Sequence, residues 1–461
     1  MSVVDNANLP SPALARPRPL DPQTTLWQFL RTLRDSSIAT YRADAFNMDI
    51  DVRHLLWRTT VIVNEPGAIK HVLLDNAANY HKSEIGRRLL EPGLGRGLLT
   101  SEGEVWRRHR RIMAPSFDHR SIIGYAPLMT EIAGSLLARW DSLPDEAETD
   151  VAQEMMHATL HIISRAMFSS DSDDIVDVVA TGVERYQANV RPNLLDLLGL
   201  PRWLAAFGRR RHAGAYLGEF DLAVRRLLTT RNTTSGRSGD LLDRLVAARD
   251  EETGGRMTAQ EVRDQVVTIF MAGHETTALA LTWTWYLLSQ HPAVEAKLHS
   301  ELRSVLDGAT PRHEDLANLP FTRMVIEESM RLYPPAHTLG RRAIAADEIL
   351  GRRIPAGATV LVVPWLLHRK PALWERPDRF EPERFAPERI AARPRFAYIP
   401  FGAGPRICIG AAFAMAEAML ILVTIAQRYR LRLQPGHTVE PQGLITLRPR
   451  HGMKMILQRR Q

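Results

Sequence analysis

The 461-residue chain contains one cysteine, Cys408, in the segment FGAGPRICIG at residues 401–410. A lone cysteine forms no internal disulfide, so this thiol is inert packing, a reactive group or a metal ligand. Its surroundings have the spacing F-x-x-G-x-R-x-C-x-G and precede the helix-like AAFAMAEAMLILVTIAQRY. Backbone N–H groups and the positive helix end favour a thiolate there, and the glycines allow a flat partner to approach closely. The spacing therefore favours a metal ligand.

A second group of candidates lies in the longest predicted helix, which runs from Thr258 to about Gln290 and has Glu261 in capping-box spacing. At ~1.5 Å per residue this rod approaches ~50 Å, enough to cross a domain. Its middle, AGHETT, is polar within an apolar run. A bond from the Thr276 hydroxyl to the Ala272 carbonyl would bend the helix, which predicts a functional kink. The alternative is that these polar residues face solvent.

Two further helices carry charged candidates. The segment FTRMVIEESMRLYPP sets Glu328 and Arg331 three residues apart on one face, a spacing that is also common on protein surfaces. The segment GEVWRRHRRIMAPSF stacks Trp106 above Arg110. This second helix is either a solvated basic helix or one in which both side chains donate to a buried anion.

The scaffold for these residues is predicted to be mainly α with a small β portion, in a single domain over 1–461. Residues 1–22 are Pro-rich and irregular, and short strands predict a small sheet near 45–65 and 340–365. Residues 100–335 are mostly helical, interrupted by the loops TTSGRSGD and DEETGGR. The Pro- and Arg-rich stretch HRKPALWERPDRFEPERFAPERIAARPRF has no period and predicts a long coil.

Composition narrows the class of protein. The content of 45% apolar residues fills one large core or two ordinary ones, and no run reaches the roughly 18 apolar residues of a membrane span. The N-terminus has no signal-peptide pattern, so we expect a cytoplasmic protein without a membrane anchor. The net charge of +7 comes without a nucleic-acid reader module, which argues against nucleic acid and leaves an acidic protein partner open.

Taken together, the motifs resemble the cytochrome P-450 family, the haem-thiolate monooxygenases, from about residue 50 onward. The Trp106 and Arg110 helix, AGHETT, the Glu328 and Arg331 pair and FGAGPRICIG occur in the family's order. The segment PERF at 382–385 adds the family's partner arginine, Arg384.

The resemblance implies the cytochrome P-450 fold, with a long central helix over haem b (iron protoporphyrin IX), and O2 as co-substrate. Cys408 would be the axial thiolate on iron, favouring O–O cleavage. Glu328, Arg331 and Arg384 would form a buried ion network that locks the coil carrying the cysteine. The positions that match the family's propionate partners are Trp106, Arg110, Arg341 and Arg406, with Phe401 and Gly402 as further haem-binding positions.

On the opposite face, the resemblance sets Thr276 and Glu275 beside dioxygen as a proton relay. Glu275 alternatively holds the helix by pairing with a basic residue. His337 departs from the usual small residue, and either projects toward the substrate or bonds to backbone. A lipophilic substrate held by shape is implied, with no choice among chemical classes. The substrate-facing candidates are Leu98, Leu99, Phe270, Ala272, Ala336, Thr338 and Ile445.

The chain carries no flavin or iron–sulfur motif, so we expect it to receive electrons from a separate ferredoxin or flavodoxin with its NAD(P)H reductase. We also expect a monomer. Arg107, Arg108 and Arg111 would offer this acidic partner a basic face. Three alternatives stay open: an enzyme that uses peroxide, a non-catalytic haem-thiolate protein that binds a ligand, and a nucleophilic Cys408. The last would need a neighbouring histidine, for which no local signature exists.

Overall fold

The computed structural model describes residues 14–55, 58–169 and 239–460, with isolated positions at 218, 221, 222, 225 and 229. Most of the predicted loop TTSGRSGD lies outside these residues. Apart from the isolated positions, so does the part of the predicted helical region at 170–238. The helices, numbered over the described chain, are α1 Leu26–Asp35, α2 Pro66–Lys70, α3 Glu84–Leu94, α4 Gly103–Met113, α5 His119–Asp141, α6 Val151–Phe168, α7 Leu241–Ala247, α8 Ala259–Gln290, α9 Pro292–Leu306, α10 Pro320–Leu332, α11 Pro364–Leu367, α12 Pro387–Ala392 and α13 Ala411–Arg428.

The strands are few and short, as the sequence predicts for a mainly helical protein. They are β1 Ile50–Leu55, β2 Arg58–Val63, β3 Tyr80–Lys82, β4 Glu148–Asp150, β5 Leu339–Ala343, β6 Asp347–Ile349, β7 Arg352–Ile354, β8 Thr359–Val362, β9 Tyr429–Leu433, β10 Pro441–Gly443, β11 Leu447–Pro449 and β12 Lys454–Arg459. The largest sheet has the order β1-β2-β8-β5-β3, in which β2 and β8 are parallel and the other pairs antiparallel. The sheet unites the two regions predicted near 45–65 and 340–365.

The long predicted helix is α8, and its start follows from local chemistry. The Thr258 hydroxyl accepts from the Glu261 amide at 3.2 Å, and the Glu261 carboxylate accepts from the Thr258 amide at 2.8 Å. This is the predicted capping box. The helix continues to Gln290 without a break and is buried on nearly all sides, which identifies it as the central rod of the fold.

The helical core forms around this rod. Helix α8 packs against α6, α10 and α13, while α5 packs against α6 and α13. Trp283 of α8 stacks on Tyr333 with ring centroids 4.2 Å apart, which fixes α8 against the end of α10. Helices α5 and α13 are long and apolar enough to cross a membrane by length and composition, but their apolar stretches are 56% and 72% buried in the fold.

The predicted long coil is present between α11 and α13. Within residues 368–410 the only helical pieces are short: Pro382–Phe385, α12, Arg395–Ala397 and Gly404–Arg406. Residues 14–25 are likewise irregular and precede α1. The coil brings Cys408 to the start of α13, so the stability of the candidate site depends on what holds the coil.

Candidate active site

A cavity of about 920 Å³ lies between α8 and the cysteine-bearing coil. Cys408 lines one side and Thr276 of α8 lines another. The Cys408 side chain is exposed because it faces this cavity. The structure thus brings together the two motifs that stand more than a hundred residues apart in sequence.

The loop around Cys408 is shaped by two glycines. The Cys408 amide donates to the Phe401 carbonyl at 2.9 Å, which closes the loop. Gly402 and Gly404 have φ angles of +73° and +70°, a region that favours glycine. A Cβ on Gly404 would stand 1.8 Å from the Leu73 carbonyl oxygen, so no other residue fits there. The sequence analysis explained the glycines of this segment by the close approach of a flat partner. In the structure, Gly402 and Gly404 are needed first for the backbone conformation of the loop.

The thiol of Cys408 experiences opposing influences. Burial among protein atoms raises its pKa, while a hydrogen bond from the Gly410 amide and the positive charge of Arg110 lower it. The last two are the contributions expected of a helix entrance beside a basic residue. Arg110 also donates to the Ile407 carbonyl at 2.8 Å, which ties α4 to the cysteine loop.

The predicted ion network is fully buried beneath the coil. Arg331 donates through Nε to Glu328 Oε2 at 2.6 Å and through Nη2 to Oε1 at 2.8 Å, and both side chains are 0% exposed. Arg384 donates to the same carboxylate at 3.2 Å, and the Glu381 amide donates to it at 3.0 Å. This bidentate pair is therefore not surface decoration, since a solvated pair would be exposed.

The network holds the coil at several points. Arg331 also donates to the carbonyls of His368 at 2.7 Å, Pro377 at 2.8 Å and Arg379 at 2.9 Å. The His368 ring accepts from the Ile399 amide at 3.0 Å, two residues before the cysteine loop begins. Arg331 thus fixes the first part of the coil through one planar group, and His368 connects that part to the segment before the cysteine loop.

A cluster of cations lines the cavity near Cys408. Burial, with repulsion from Arg406, lowers the pKa of Arg341 to about 10. Burial, with repulsion from Arg406 and Arg341, lowers the pKa of Lys82 to about 7. Glu102, paired with Arg406, is the one carboxylate of this group. Because the positive charges outnumber the negative ones, the cluster suits an anionic ligand.

The predicted anion donors of α4 stand beside the cluster. Trp106 and Arg110 both line the cavity. The Arg406 guanidinium lies 4.3 Å from the centroid of the Trp106 ring, a cation–π contact. The structure therefore joins α4 to the cysteine loop.

The AGHETT segment turns one face toward the cavity. The Thr276 hydroxyl donates to the Ala272 carbonyl at 2.8 Å, the predicted bond, although α8 has no break here. Ala272 is exposed and Thr276 half-buried in a helix that is otherwise buried, because both face the cavity. Glu275 and Thr277 are buried at 1% and 3% exposure, so the alternative that these residues face solvent is wrong.

Glu275 is held by partners from the C-terminal part of the chain. Its carboxylate accepts from the Thr446 hydroxyl and forms an ion pair with Arg448. Since the group is buried and paired, it anchors α8 to β11. This geometry matches the interpretation of Glu275 as a helix anchor.

Of the substrate-facing candidates, all but one line the cavity: Leu98, Leu99, Ala272, Ala336, Thr338 and Ile445. The prediction for Phe270 is wrong, because this residue does not line the cavity. It is 0% exposed and stacks on Phe168 with ring centroids 5.3 Å apart, away from the cavity wall. Thr268 and Ile269 line the cavity instead, because residues three and four positions before Ala272 share its face of the helix, whereas the residue two before does not.

His337 is buried at 2% exposure and also lines the cavity. Its Nε2 lies 2.9 Å from the Leu444 carbonyl and its Nδ1 lies 3.0 Å from Thr338 Oγ1. Burial lowers its pKa to about 4, so the ring is neutral near pH 7. A neutral ring donates to Leu444 and accepts from Thr338, which makes His337 a link between the segment before β5 and the segment before β11.

The basic face predicted on α4 is locally neutralised. Arg107 pairs with Glu104 and Arg108 pairs with Glu261. Arg111 forms ion pairs with Asp250 at 2.8 Å and with Glu252 at 3.1 Å. The hypothesis of a free basic face on these arginines is therefore not supported. The partner of Arg107 lies in α4 itself, whereas the partners of Arg108 and Arg111 come from α8 and the loop before it, distant in sequence.

Sequence reasoning missed several cavity residues. Lys82 has no motif around it, and only the pairing of β3 with β5 brings it beside Arg341. Glu417 of α13 bonds to Thr277 and is buried, which raises its pKa to about 8. The sequence did contain a signal for Glu417, because a glutamate interrupts the apolar run AMAEAMLILV.

Comparison with known proteins identifies the family. A family model described as Cytochrome P450 matches residues 49–454. Cyclooctatin synthase of Streptomyces melanosporofaciens is 38% identical over 390 residues, 83% of each chain. Cyclooctat-9-en-7-ol 5-monooxygenase of the same organism is 37% identical over 357 residues, 75% of each chain. The crystal structure of the cytochrome P450DA heme domain matches with a TM-score of 0.83 at 26% identity, covering 97% of this chain and 99% of that one. The chain belongs to the cytochrome P450 family and is a monooxygenase.

The family implies haem and the use of O2, and the residues present fit that group. Cys408 lines the cavity and would supply the thiolate ligand that haem iron takes in this class of enzyme. The three cations Lys82, Arg341 and Arg406 share the single carboxylate of Glu102, and the carboxylates of a haem would balance the remaining positive charge. Ala272, with its small side chain exposed to the cavity, leaves room for a flat macrocycle beside α8.

Proposed function

We propose that this monooxygenase inserts one oxygen atom of O2 into a lipophilic small molecule, by hydroxylation or epoxidation, using haem b. The observation that carries the proposal is the single cavity bordered by Cys408, by the cation cluster and by the Thr276 face of α8. When bound, the haem supplies the redox-active iron at which O2 is reduced. Its thiolate ligand would be Cys408, and its propionates would pair with Arg110, Arg341, Arg406 and Lys82, next to the Trp106 N–H, with Phe401 and Gly402 beside it.

Thr276 would position the water that delivers protons. Its hydroxyl donates to the Ala272 carbonyl and therefore keeps its oxygen lone pairs for a donor in the cavity. A water held there can pass protons toward the reacting centre, since proton delivery requires a positioned group within hydrogen-bond reach. Glu275 would act by holding α8 through Arg448 rather than by relaying protons.

The network of Glu328, Arg331 and Arg384 would keep Cys408 in position. The cysteine loop is bound at one end through Ile399 and His368, whose carbonyl Arg331 also holds. A cysteine held in this way would need little rearrangement when the metal binds, because the residues around a metal ligand fix its position in advance.

The substrate would be held mainly by apolar contact. The cavity wall includes the apolar residues Leu98, Ala336 and Ile445, with Thr338 adding one hydroxyl. The related monooxygenase from Streptomyces melanosporofaciens is named for an alcohol, cyclooctat-9-en-7-ol. That name supports a lipophilic substrate here.

Electrons would come from a ferredoxin or flavodoxin with its NAD(P)H reductase, and the protein would be a cytoplasmic monomer. The net charge of +7 supports an acidic electron donor. Product formation with either donor should require NAD(P)H and should slow as salt rises. Light scattering after size exclusion tests the monomer.

The decisive experiment is the absorbance of the purified protein after reduction and exposure to carbon monoxide. The red-displaced band of thiolate-ligated haem is expected, and Cys408→Ser should lose that band. A wild-type protein without the band, or a variant that retains it, would remove the proposal. Product analysis with NAD(P)H and the redox chain then separates a monooxygenase from a peroxide-driven or non-catalytic protein.

A further inference from the structure

A buried histidine on α9 makes no hydrogen bond with the described part of the chain. His299 is 2% exposed, and both of its ring nitrogens lack a hydrogen-bond partner. Buried polar atoms are nearly always hydrogen-bonded, because a buried donor or acceptor without a partner has lost its bonds to water. His299 does not line the cavity that contains Cys408, so the oxidation reaction gives this side chain no role.

His299 lies where α9 meets β9. It shares one face of α9 with Glu295 and Arg303, since residues four apart along a helix lie on the same side. The Glu295 carboxylate accepts from two nitrogens of Arg432 of β9, at 2.9 and 2.6 Å. Arg430 lies two residues before Arg432 and therefore on the same side of the strand. The ion pair thus brings the His299 face of α9 against the arginine side of β9.

The segment after β12 adds another arginine. The Arg460 amide donates to the Arg428 carbonyl at 2.8 Å, next to the start of β9. The Arg460 guanidinium donates to the Gln427 carbonyl at 3.2 Å, in the last turn of α13. Burial, together with repulsion from Arg430 and Arg303, lowers the pKa of Arg460. The three guanidinium groups therefore lie close together.

The charges around His299 are unbalanced. Burial and repulsion from four arginines lower the pKa of His299 to about 3, and these are Arg460, Arg430, Arg432 and Arg303. The only ion pair that residues 14–55, 58–169 and 239–460 give these four arginines is the one between Arg432 and Glu295. Three of the four positive charges are therefore left without a carboxylate.

A phosphate group fits this set of donors. Guanidinium groups bind phosphate through parallel N–H···O bonds, and a phosphate monoester carries a charge of about −1.5 to −2 near pH 7. Arg303 and Arg430 are exposed, so a ligand reaches them from solvent. The neutral His299 ring has one N–H to donate and no partner for it within the described chain.

We propose that α9, β9 and the segment after β12 form a binding site for the phosphate group of a small soluble molecule, held by Arg303, Arg430 and His299. Arg460 completes the site and also holds the last turn of α13, the helix that begins beside Cys408. None of these four ligand-binding residues lines the cavity, so the site acts independently of the monooxygenase function. Phosphate binding stabilises the C-terminal part of the fold.

The test measures binding of inorganic phosphate to the holoprotein by isothermal titration calorimetry, with sodium chloride keeping the ionic strength constant. Arg430→Gln should weaken binding about tenfold, the value of one charge-assisted hydrogen bond, and Arg303→Gln should have an effect of similar size. Arg353→Gln is the matched control and should bind phosphate as the wild type does. Arg353 is exposed on β7, and its side chain has no ion pair or hydrogen bond to a described residue.

His299→Leu separates a role in binding from a role in packing. The substitution replaces a buried polar ring without partners by an apolar side chain, so in chloride alone the Tm should be unchanged or higher than that of the wild type. Phosphate should raise the Tm of the wild type, because a ligand that binds only the folded state stabilises it. The same phosphate concentration should raise the Tm of the variant much less.

Four results would overturn the proposal. These are no heat of phosphate binding in the wild type, equal affinity in Arg430→Gln and the wild type, an equal phosphate-induced rise in Tm for His299→Leu and the wild type, and binding only to vesicles that contain phosphatidic acid. The carbon monoxide spectrum, recorded on the same samples, tests the haem site separately. A normal thiolate band in Arg430→Gln, together with weakened phosphate binding, is the result expected of an independent site.

Discussion

Replacing Arg331 with alanine is expected to remove a large part of the free energy of unfolding. The guanidinium makes five hydrogen bonds, two to Glu328 and one each to the carbonyls of His368, Pro377 and Arg379. All of these lie at a side chain that is 0% exposed, so water does not replace them.

The magnitude follows from what the substitution leaves behind. Removing Arg331 takes the bidentate partner from the buried Glu328 carboxylate and leaves it the longer contact to Arg384 at 3.2 Å, a loss of about 3–5 kcal/mol. Each carbonyl left without a donor adds about 1–3 kcal/mol, although these terms are not additive. A loss of at least about 5 kcal/mol is comparable to the whole stability of many proteins, about 5–15 kcal/mol. Arg331→Ala should therefore yield little haem-loaded protein.

Two measurements check this expectation: urea unfolding followed by tryptophan fluorescence, and the ratio of haem to protein. Arg165→Ala is the matched control, since its partner Glu131 lies 2.7 Å away on the surface and such pairs contribute at most about 1 kcal/mol. Adding Glu328→Gln to Arg331→Ala should recover part of the loss, because the stranded charge is gone. An Arg331→Ala protein that is within about 1 kcal/mol of wild type and fully loaded with haem would refute the reasoning.

Three further predictions concern the cavity. Thr276→Ala should bind haem but release most reducing equivalents as hydrogen peroxide. Thr284→Ala is the control and should stay coupled, because the Thr284 hydroxyl bonds to helix backbone away from the cavity. Equal product yield per NAD(P)H in the two variants would contradict the proton role of Thr276. Arg448→Gln should lower the free energy of unfolding by about 3 kcal/mol by stranding Glu275, and an unchanged urea midpoint would exclude the anchor. The pKa of Glu417 is raised from 4.5 to about 8, so between these values the folded state keeps a proton that the unfolded state has lost, and stability falls as pH rises. Relative to wild type, Glu417→Gln should gain up to about 1 kcal/mol per pH unit between roughly pH 5 and 8, and parallel pH profiles would exclude this burial effect.

Local patterns predicted the elements that carry the chemistry. The capping box of Thr258 and Glu261 and the apolar run behind it predicted α8 to within one residue at its start. The i, i+3 spacing of Glu328 and Arg331 gave a true pair, because that spacing alone brings two side chains together on a helix. The bond from Thr276 to Ala272 is equally local and is present.

Contacts between distant segments escaped prediction. The partners of Arg108 and Arg111 are Glu261 and Asp250, more than a hundred residues away, so a run of basic residues was not a free basic face. The family resemblance placed Phe270 at the cavity, but which side of α8 faces the cavity depends on the packing of α6 and Phe168.

The sequence by itself determined the kind of protein: a lone Cys408 in the segment FGAGPRICIG, a central helix with AGHETT, and the Glu328–Arg331 pair. Each motif is readable because its members are close along the chain. Only the tertiary structure decided the surroundings. Pairing of β3 with β5 set Lys82 beside Arg341, and folding brought α1 and the β1–β2 hairpin to the wall of the cavity that Cys408 lines. Burial and charge act through space, so their balance at a site depends on neighbours that no local spacing specifies.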